Sequence, residues 1–359
     1  MRKSVSLFLG VLSLGTVLSG GSQVSKHEQL IDESLSKSAL IESKIPFHLH
    51  LEIHPGKVLF PGHQASPNMA GSMDVFWVTP LRYKLVLTSS DFTQTKIVDG
   101  NLVEEHDEGE FYPRWLDNFV QAFMNPLPKA NVLKGMELRM TGGGTMNLPG
   151  RAPLTMPRCL NKEDRPDGIT DETSVARVCV DATQTLIESG LDFTRYVSFS
   201  DYSKFGDQEI PRKWSDDIPE NIYVDGDVTR LEKLSKQEIE NIRVTKPTPI
   251  KDQIRTVFLP RQKLTDLFEP IPDYEWPPVK SGKSDGYMIV YVRTDREGKI
   301  RESYWDNSDN YGLQDAGVQY ALGAQLKPTA IDGGSVQVEG PLVLHFASKP
   351  DASVSSERQ

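Results

Sequence analysis

The stretch "PFHLHLEIHPG", Pro46 to Gly56, sets His48, His50, Glu52 and His54 in one row between Phe47, Leu49, Leu51 and Ile53. Residues two apart on a strand point the same way, so His48 and His50 can close on one zinc-type ion as a His-x-His pair. Glu52, His54 or His63 would supply the third ligand. A strand with one buried and one wet face produces the same alternation, and histidine is ordinary on the wet face. That simpler reading needs no ion. No metal and no cofactor is therefore expected, with His48 and His50 as the alternative ligands.

Other reactive residue types are sparse. Cys159 and Cys179 are the two cysteines, and no C-x-x-C redox or zinc motif occurs. An isolated pair in an exported chain is expected to be bridged. The bridge would close a loop containing "NKEDRPDG" and contribute roughly 3 kcal/mol. Neither G-x-S-x-G nor H-E-x-x-H is present, and the acidic run "EEHDEGE" at 104–110 reads as a solvated turn. The glycines at 142–144 lack a following Lys-Ser/Thr, so they are no phosphate loop. No catalytic residue is identified, and the protein is read as a non-enzyme.

Composition narrows the partners. In 359 residues, 38% hydrophobic and 8% aromatic content fits a globular chain of two domains. A net charge of −10 argues against nucleic acid and anionic membrane surfaces as partners. Arg2 and Lys3, the apolar run Val5 to Leu18, and Ser19 to Ser22 have the layout of a secretory leader over 1–22. The run would span roughly 21 Å as a helix, short of the roughly 30 Å hydrocarbon core. Removal is expected, with retention as an anchor the alternative; only an uncleaved leader would touch a membrane. The location read from this is exported: bacterial periplasm or cell envelope.

The elements follow from period. Leu30, Ile31, Leu35 and Leu40–Ile41 recur at helical spacing, which predicts an N-terminal helix within 23–45. From Phe47 the period becomes two: Met73, Val75 and Trp77 share a face, as do Tyr83, Leu85 and Leu87. Asp99-Gly100 is a tight-turn signal, so an antiparallel meander is expected. "YPRWLDNFVQAFMNPLP" then predicts a helix opened by Pro113, with Trp115, Phe119 and Phe123 on one stripe. Residues 140–173 read as loop, and strands resume at "SVARVCVD", "ATQTLIESG" and "DFTRYVSFSDY". "NIYVDGDVTRLEKL" reads as a hairpin about Asp225-Gly226, and Ser235 with Glu238 as a capping box. The proline-rich stretch within 263–283 reads as an extended linker. Beyond it, "GYMIVYVRTDREGKIRESYW", "LQDAGVQYALGAQL" and "SVQVEGPLVLHFAS" give the order β-β-α-β over 284–348, before a polar tail at 349–359.

Two resemblances attach to these residues. "VYVRTDREGKI", the helix before "AQLKPTAIDGGSV" and the terminal "GPLVLHF" resemble the C-terminal domain of TonB-type energy transducers, over about 284–347. That resemblance implies an exposed strand edge to which a partner's peptide adds by β-augmentation. The long Pro/Lys/Glu-rich rod of a working transducer is missing. The region of about 45–260, with "VFWVTPLRYKLVL", "DFTQTKIVDGN" and the helix after "FYP", looks like the LolA/LolB lipoprotein carriers. It implies a curved antiparallel sheet, a half-barrel with covering helices, and an apolar pocket for acyl chains.

The fold class expected is thus α+β: a LolA-like sheet domain over 46–262, then a small ββαβ TonB-C-like module. Trp77, Tyr83, Leu85, Trp115, Phe119 and Phe123 are the candidate ligand-binding residues, and a closed core filled by the same side chains is the alternative. The leading functional reading is an envelope protein that binds a lipid or lipoprotein acyl chain in the large domain and docks an envelope protein through the small one. The alternatives are an adaptor without ligand and a divergent energy transducer that keeps its N-terminal anchor.

Overall fold

The computed structural model describes residues 21–56, 69–126, 138–142, 145–146, 154–155, 158–162, 177–181, 185–192, 195–218 and 222–350. The leader other than its last two residues, His63, most of the 140–173 stretch and the tail from 351 lie outside the described residues.

Helix α1 (Gly21–Ser38) runs into a short 3-10 turn (Leu40–Glu42), and the chain then enters a meander. Its strands are β1 (Phe47–Pro55), β2 (Gly71–Thr79), β3 (Arg82–Ser89), β4 (Thr93–Asp99) and β5 (Leu102–Glu108). Helix α2 (Arg114–Met124) follows. After it come β6 (Leu138–Gly142), the pair β7 (Thr145–Met146) and β8 (Leu154–Thr155), and β9 (Arg158–Lys162). The second meander continues with β10 (Arg177–Val180), β11 (Leu186–Asp192), β12 (Arg195–Phe205), β13 (Gln208–Ile218) and β14 (Ile222–Lys233). The two meanders join through antiparallel β1 and β14 into one curled twelve-stranded sheet, β5-β4-β3-β2-β1-β14-β13-β12-β11-β10-β9-β6.

Alternation sets the core. Phe47, Leu49, Leu51 and Ile53 are buried on one face, opposite Trp77, Val75, Met73 and Gly71 of β2. Each fully buried large apolar side chain contributes about 1.5–3 kcal/mol. Helices α1 and α2 lie on this face, and their Leu30, Trp115, Leu116, Phe119 and Phe123 join the strand residues in one cluster.

Four expectations need correction. The acidic run at 104–110 is not all turn: β5 runs through it to Glu108, paired with β4, and Glu105 is buried beside Lys96. Asp225-Gly226 does not turn the chain: β14 runs straight through it. A Cβ at Gly226 would meet Leu51 and Phe119 at 3.1 Å, so the glycine is there to let helix and strand approach. The stretch 140–173 is not all loop, because β6 and β9 pair with each other, and β9 pairs with β10. The Cys159–Cys179 disulfide forms, directly across the β9–β10 ladder. The expected linker is not free either. Helix α3 (Lys236–Asn241), with its Ser235–Glu238 capping box, precedes β15 (Thr256–Phe258), α4 (Arg261–Leu267), β16 (Phe268–Glu269) and β17 (Trp276–Val279). Ile271, Tyr274 and Trp276 of that segment pack on the second core, since its aromatic and apolar side chains gain more by burial than by solvation.

The second core belongs to the C-terminal module: β18 (Asp285–Thr294), β19 (Ile300–Ser308), α5 (Gln314–Gly323), the short β20 (Gln325–Leu326) and β21 (Thr329–Ile331), and the long β22 (Gly334–Pro350). The sheet order is β15-β22-β18-β19, with β17 and β21 also on β22. Gly317 lets α5 settle on the sheet, for a Cβ there would fall 1.9 Å from Met288 Sδ. Strand β22 carries β15 and β17 of this chain, both parallel to it.

Among the described residues no helix is long and apolar enough to cross a membrane.

Candidate functional site

Helix α2 is built to cover the inner face. Pro113 fixes the entry, and Leu116, Phe119 and Phe123 present an apolar stripe at near-helical spacing. Phe123 meets Trp77 edge-on at 5.4 Å between ring centroids, Trp77 stacks on Tyr83 at 5.5 Å, and Phe47 packs edge-on to Phe123 at 6.2 Å. Phe119 stacks on Trp214 of β13 at 6.4 Å. Trp115 and Leu85 are buried in the same cluster. Burial pushes the half-buried Tyr83 hydroxyl above its ordinary pKa, against the lowering charge of Lys96. The candidate ligand-binding residues thus meet one another as packed neighbours.

One cavity adjoins them. It measures about 20 Å³ and opens where the end of α1, the 3-10 turn, the end of α2 and strands β11 to β13 converge. Leu40, Ala122, Phe123, Leu186, Phe199 and Trp214 are among its walls. That volume holds about one water, not an acyl chain. Of the six candidates, Phe123 lines it. Sequence reasoning missed the other walls: Leu186, Phe199 and Trp214 come from strands whose alternation is interrupted by polar residues, and Leu40 and Ala122 from the 3-10 turn and the end of α2.

A second constellation, unforeseen from sequence, lies where α2 meets the C-terminal module. Arg114 donates to the Tyr291 hydroxyl at 2.7 Å and to Glu339 Oε2 at 2.5 Å, with its guanidinium 4.4 Å from the Tyr291 ring centroid. Arg293, fully buried, reaches Asp117 at 3.2 Å, Glu339 at 3.4 Å and the Thr256 hydroxyl at 2.8 Å. The two oxygens of Glu302 receive the Arg114 backbone N–H at 3.1 and 3.2 Å. Burial pushes the Glu302 carboxyl up to about 7, opposed by Arg293 and Arg114. Charges this enclosed persist only because they are paired.

The histidine row lies on the outer face. His48 Nε2 and His50 Nδ1 share Asp74 Oδ1, at 2.7 and 2.8 Å, and His48 stacks on Phe76 at 4.1 Å. His54 turns away to Asp227 at 2.8 Å, a bond that raises its pKa. His48 and His50 thus converge on one carboxylate oxygen, and His54 meets a different carboxylate. Among the described residues no group of three or more His, Cys, Asp or Glu could hold a metal ion.

No family model matches the chain, and no curated protein does. Among solved structures it is similar to a LolA superfamily protein of Nitrosomonas europaea, at 8% identity and a TM-score of 0.34, over 58% of this chain and 93% of that one. It is also similar to a putative outer membrane lipoprotein-sorting protein domain of Vibrio parahaemolyticus, at 8% identity and a TM-score of 0.34, over 60% and 97%. A DUF1329 family protein of Desulfovibrio piger matches at 12% identity and a TM-score of 0.31, over 61% and 97%. None of these comparisons shows a TonB-type domain.

Proposed function

We propose that the chain is a non-enzymatic, exported envelope protein that takes an apolar ligand, an acyl chain, between the inner face of its large sheet and helices α1 and α2. The observation that carries the reading is the apolar-walled cavity at the junction of both helices with β11 to β13. It marks the place where the cover is incomplete. An entering chain would widen it by moving Leu40 and Phe123, and each buried CH₂ would contribute about 0.8 kcal/mol. Trp77, Tyr83, Leu85, Trp115, Phe119 and Phe123 are the side chains such a chain would meet further in. Docking of an envelope partner through the C-terminal module belongs to the same proposal; a strand added at β22 would have to displace β15 and β17.

The test is extraction and mass spectrometry of lipids from purified protein, with titration of a fluorescent fatty acid. A reproducible acyl species, and probe binding weakened by Ala122→Trp at the cavity wall, support the reading. Clean protein that leaves the probe in solution overturns it. One observation favours a second reading, an adaptor without ligand: Leu116 and Phe119 are fully buried among the side chains of the inner face.

A further inference from the structure

We propose that the C-terminal module is an intramolecular clamp on α2: it caps the helix's first turn, holds it by buried charge pairs, and thereby sets whether the inner face of the large sheet is covered. The cap comes from outside the helix. Pro113, at the N-cap position, makes no side-chain cap bond. Glu302 of β19 takes that role across the interface, both oxygens on the Arg114 N–H. Two residues before Arg114, the side-chain amide of Gln337 of β22 accepts from the Tyr112 N–H at 2.7 Å and donates to the Tyr112 carbonyl at 3.0 Å. Tyr112 thus pairs with Gln337 as a strand residue pairs with its neighbour. Arg114 and Asp117 then engage Glu339 and Arg293.

The rest of the helix is held differently. Leu116, Phe119, Val120 and Phe123 meet the large sheet by apolar contact, which is non-directional and tolerates sliding. Asn118 adds a hydrogen bond to Asp216 of β13 at 2.8 Å. The directional restraint on the first turn therefore comes from the second module, and the apolar stripe follows where that turn is placed. Release of the clamp frees α2 before it loosens the sheet. That freed α2 admits an apolar chain rests on the function proposed above; the clamp itself does not.

Hydrogen–deuterium exchange on the full chain tests it, comparing wild type with Glu302→Ala, which removes the acceptor, and with the uncharged change Gln337→Ala. The second variant keeps the test open should the first not fold. Exchange across 114–124 is expected to rise roughly 5- to 30-fold, the range for loss of a partly buried helix-end contact, while β1 to β3 keep wild-type protection. Unchanged α2 exchange in both variants, or loosening of β1 to β3 in step with α2, overturns the clamp. Titration with cis-parinaric acid on the same samples reads the consequence. Tighter probe binding in step with faster α2 exchange supports clamp and ligand seat together. Faster exchange without probe binding supports the clamp and removes the apolar-ligand reading.

Discussion

Arg293→Met tests whether the buried charge cluster holds the two modules together. The guanidinium is fully buried, between Asp117 at 3.2 Å, Glu339 at 3.4 Å and the Thr256 hydroxyl, with the Tyr112 ring centroid 5.3 Å away. Two cations, Arg114 and Arg293, there face the carboxyl groups of Asp117, Glu339 and Glu302. Methionine preserves most of the volume and removes the charge. Asp117 and Glu339 are then left with Arg114 alone, enclosed by protein. Removing one partner from such a buried set costs about 3–5 kcal/mol, most of it the stranded charge rather than a lost attraction. For a cooperative unit of about 150–250 residues, that lowers the melting temperature by roughly 6–20 °C. Differential scanning calorimetry reads it directly. The explanation makes a second demand: Glu339→Gln added to Arg293→Met restores the balance, so the double variant should melt above Arg293→Met. A shift under about 2 °C in the single variant, or strictly additive losses in the double, would refute the reasoning.

Glu302 gives a pH dependence of definite sign. Its carboxyl sits at about 7 against an ordinary 4.5, pushed up by burial, with Glu339 adding to the rise and Arg293 and Arg114 opposing it. Arg114 of α2, Arg293 of β18, Tyr304 of β19 and Glu339 of β22 interact with this group. The folded state binds the proton more tightly, so this contribution is complete below pH 4.5 and falls away as pH climbs to about 7. Denaturant melts at about pH 5 and about pH 8 should show the loss in wild type and not in Glu302→Gln. Gly226→Val should cost about 1–3 kcal/mol in urea, because its Cβ would press on Leu51 and Phe119; an unchanged midpoint would mean that α2 does not rest there. Replacing Cys159 and Cys179 by serine should cost about 3 kcal/mol, with faster amide exchange confined to β9 to β11. Equal exchange across the whole sheet would contradict that local role.

What could be read from sequence was what repeats locally. The period of two gave β1 to β4, the Trp115/Phe119/Phe123 stripe gave α2, and Ser235 with Glu238 gave a capping box whose two reciprocal bonds form at 3.3 and 2.7 Å. The order β-β-α-β also emerged, since its turns carry their own Asp and Gly signals. What failed was local inference about residues that answer to distant ones. Asp225-Gly226 has the composition of a turn, yet Phe119, on a helix over a hundred positions earlier, decides what Gly226 does. The proline-rich stretch looks like a spacer until Tyr274 and Trp276 find Tyr320 at 4.5 and 5.2 Å.

The charge cluster is the extreme case, and it shows why the apolar stripe alone misleads about function. Arg114 and Glu339 stand 225 residues apart, and Arg114 and Glu302 stand 188 apart, so no window contains both partners. Singly, each reads as a solvated surface residue. A faint signal did exist: Arg293 continues the alternate row of Tyr287, Ile289 and Tyr291 on β18, so a charge follows directly on an aromatic and apolar run. A charge in such a row means either an exposed face or a partner arriving from elsewhere. Here the row changes character along its length: Tyr287 is exposed, whereas Tyr291 and Arg293 are buried where α2 and β22 bring Arg114, Asp117 and Glu339 to them. The stripe on α2 says only that the helix seeks an apolar surface. Which surface it covers, and how firmly, is written in the polar residues at its opening turn and in the module that meets them.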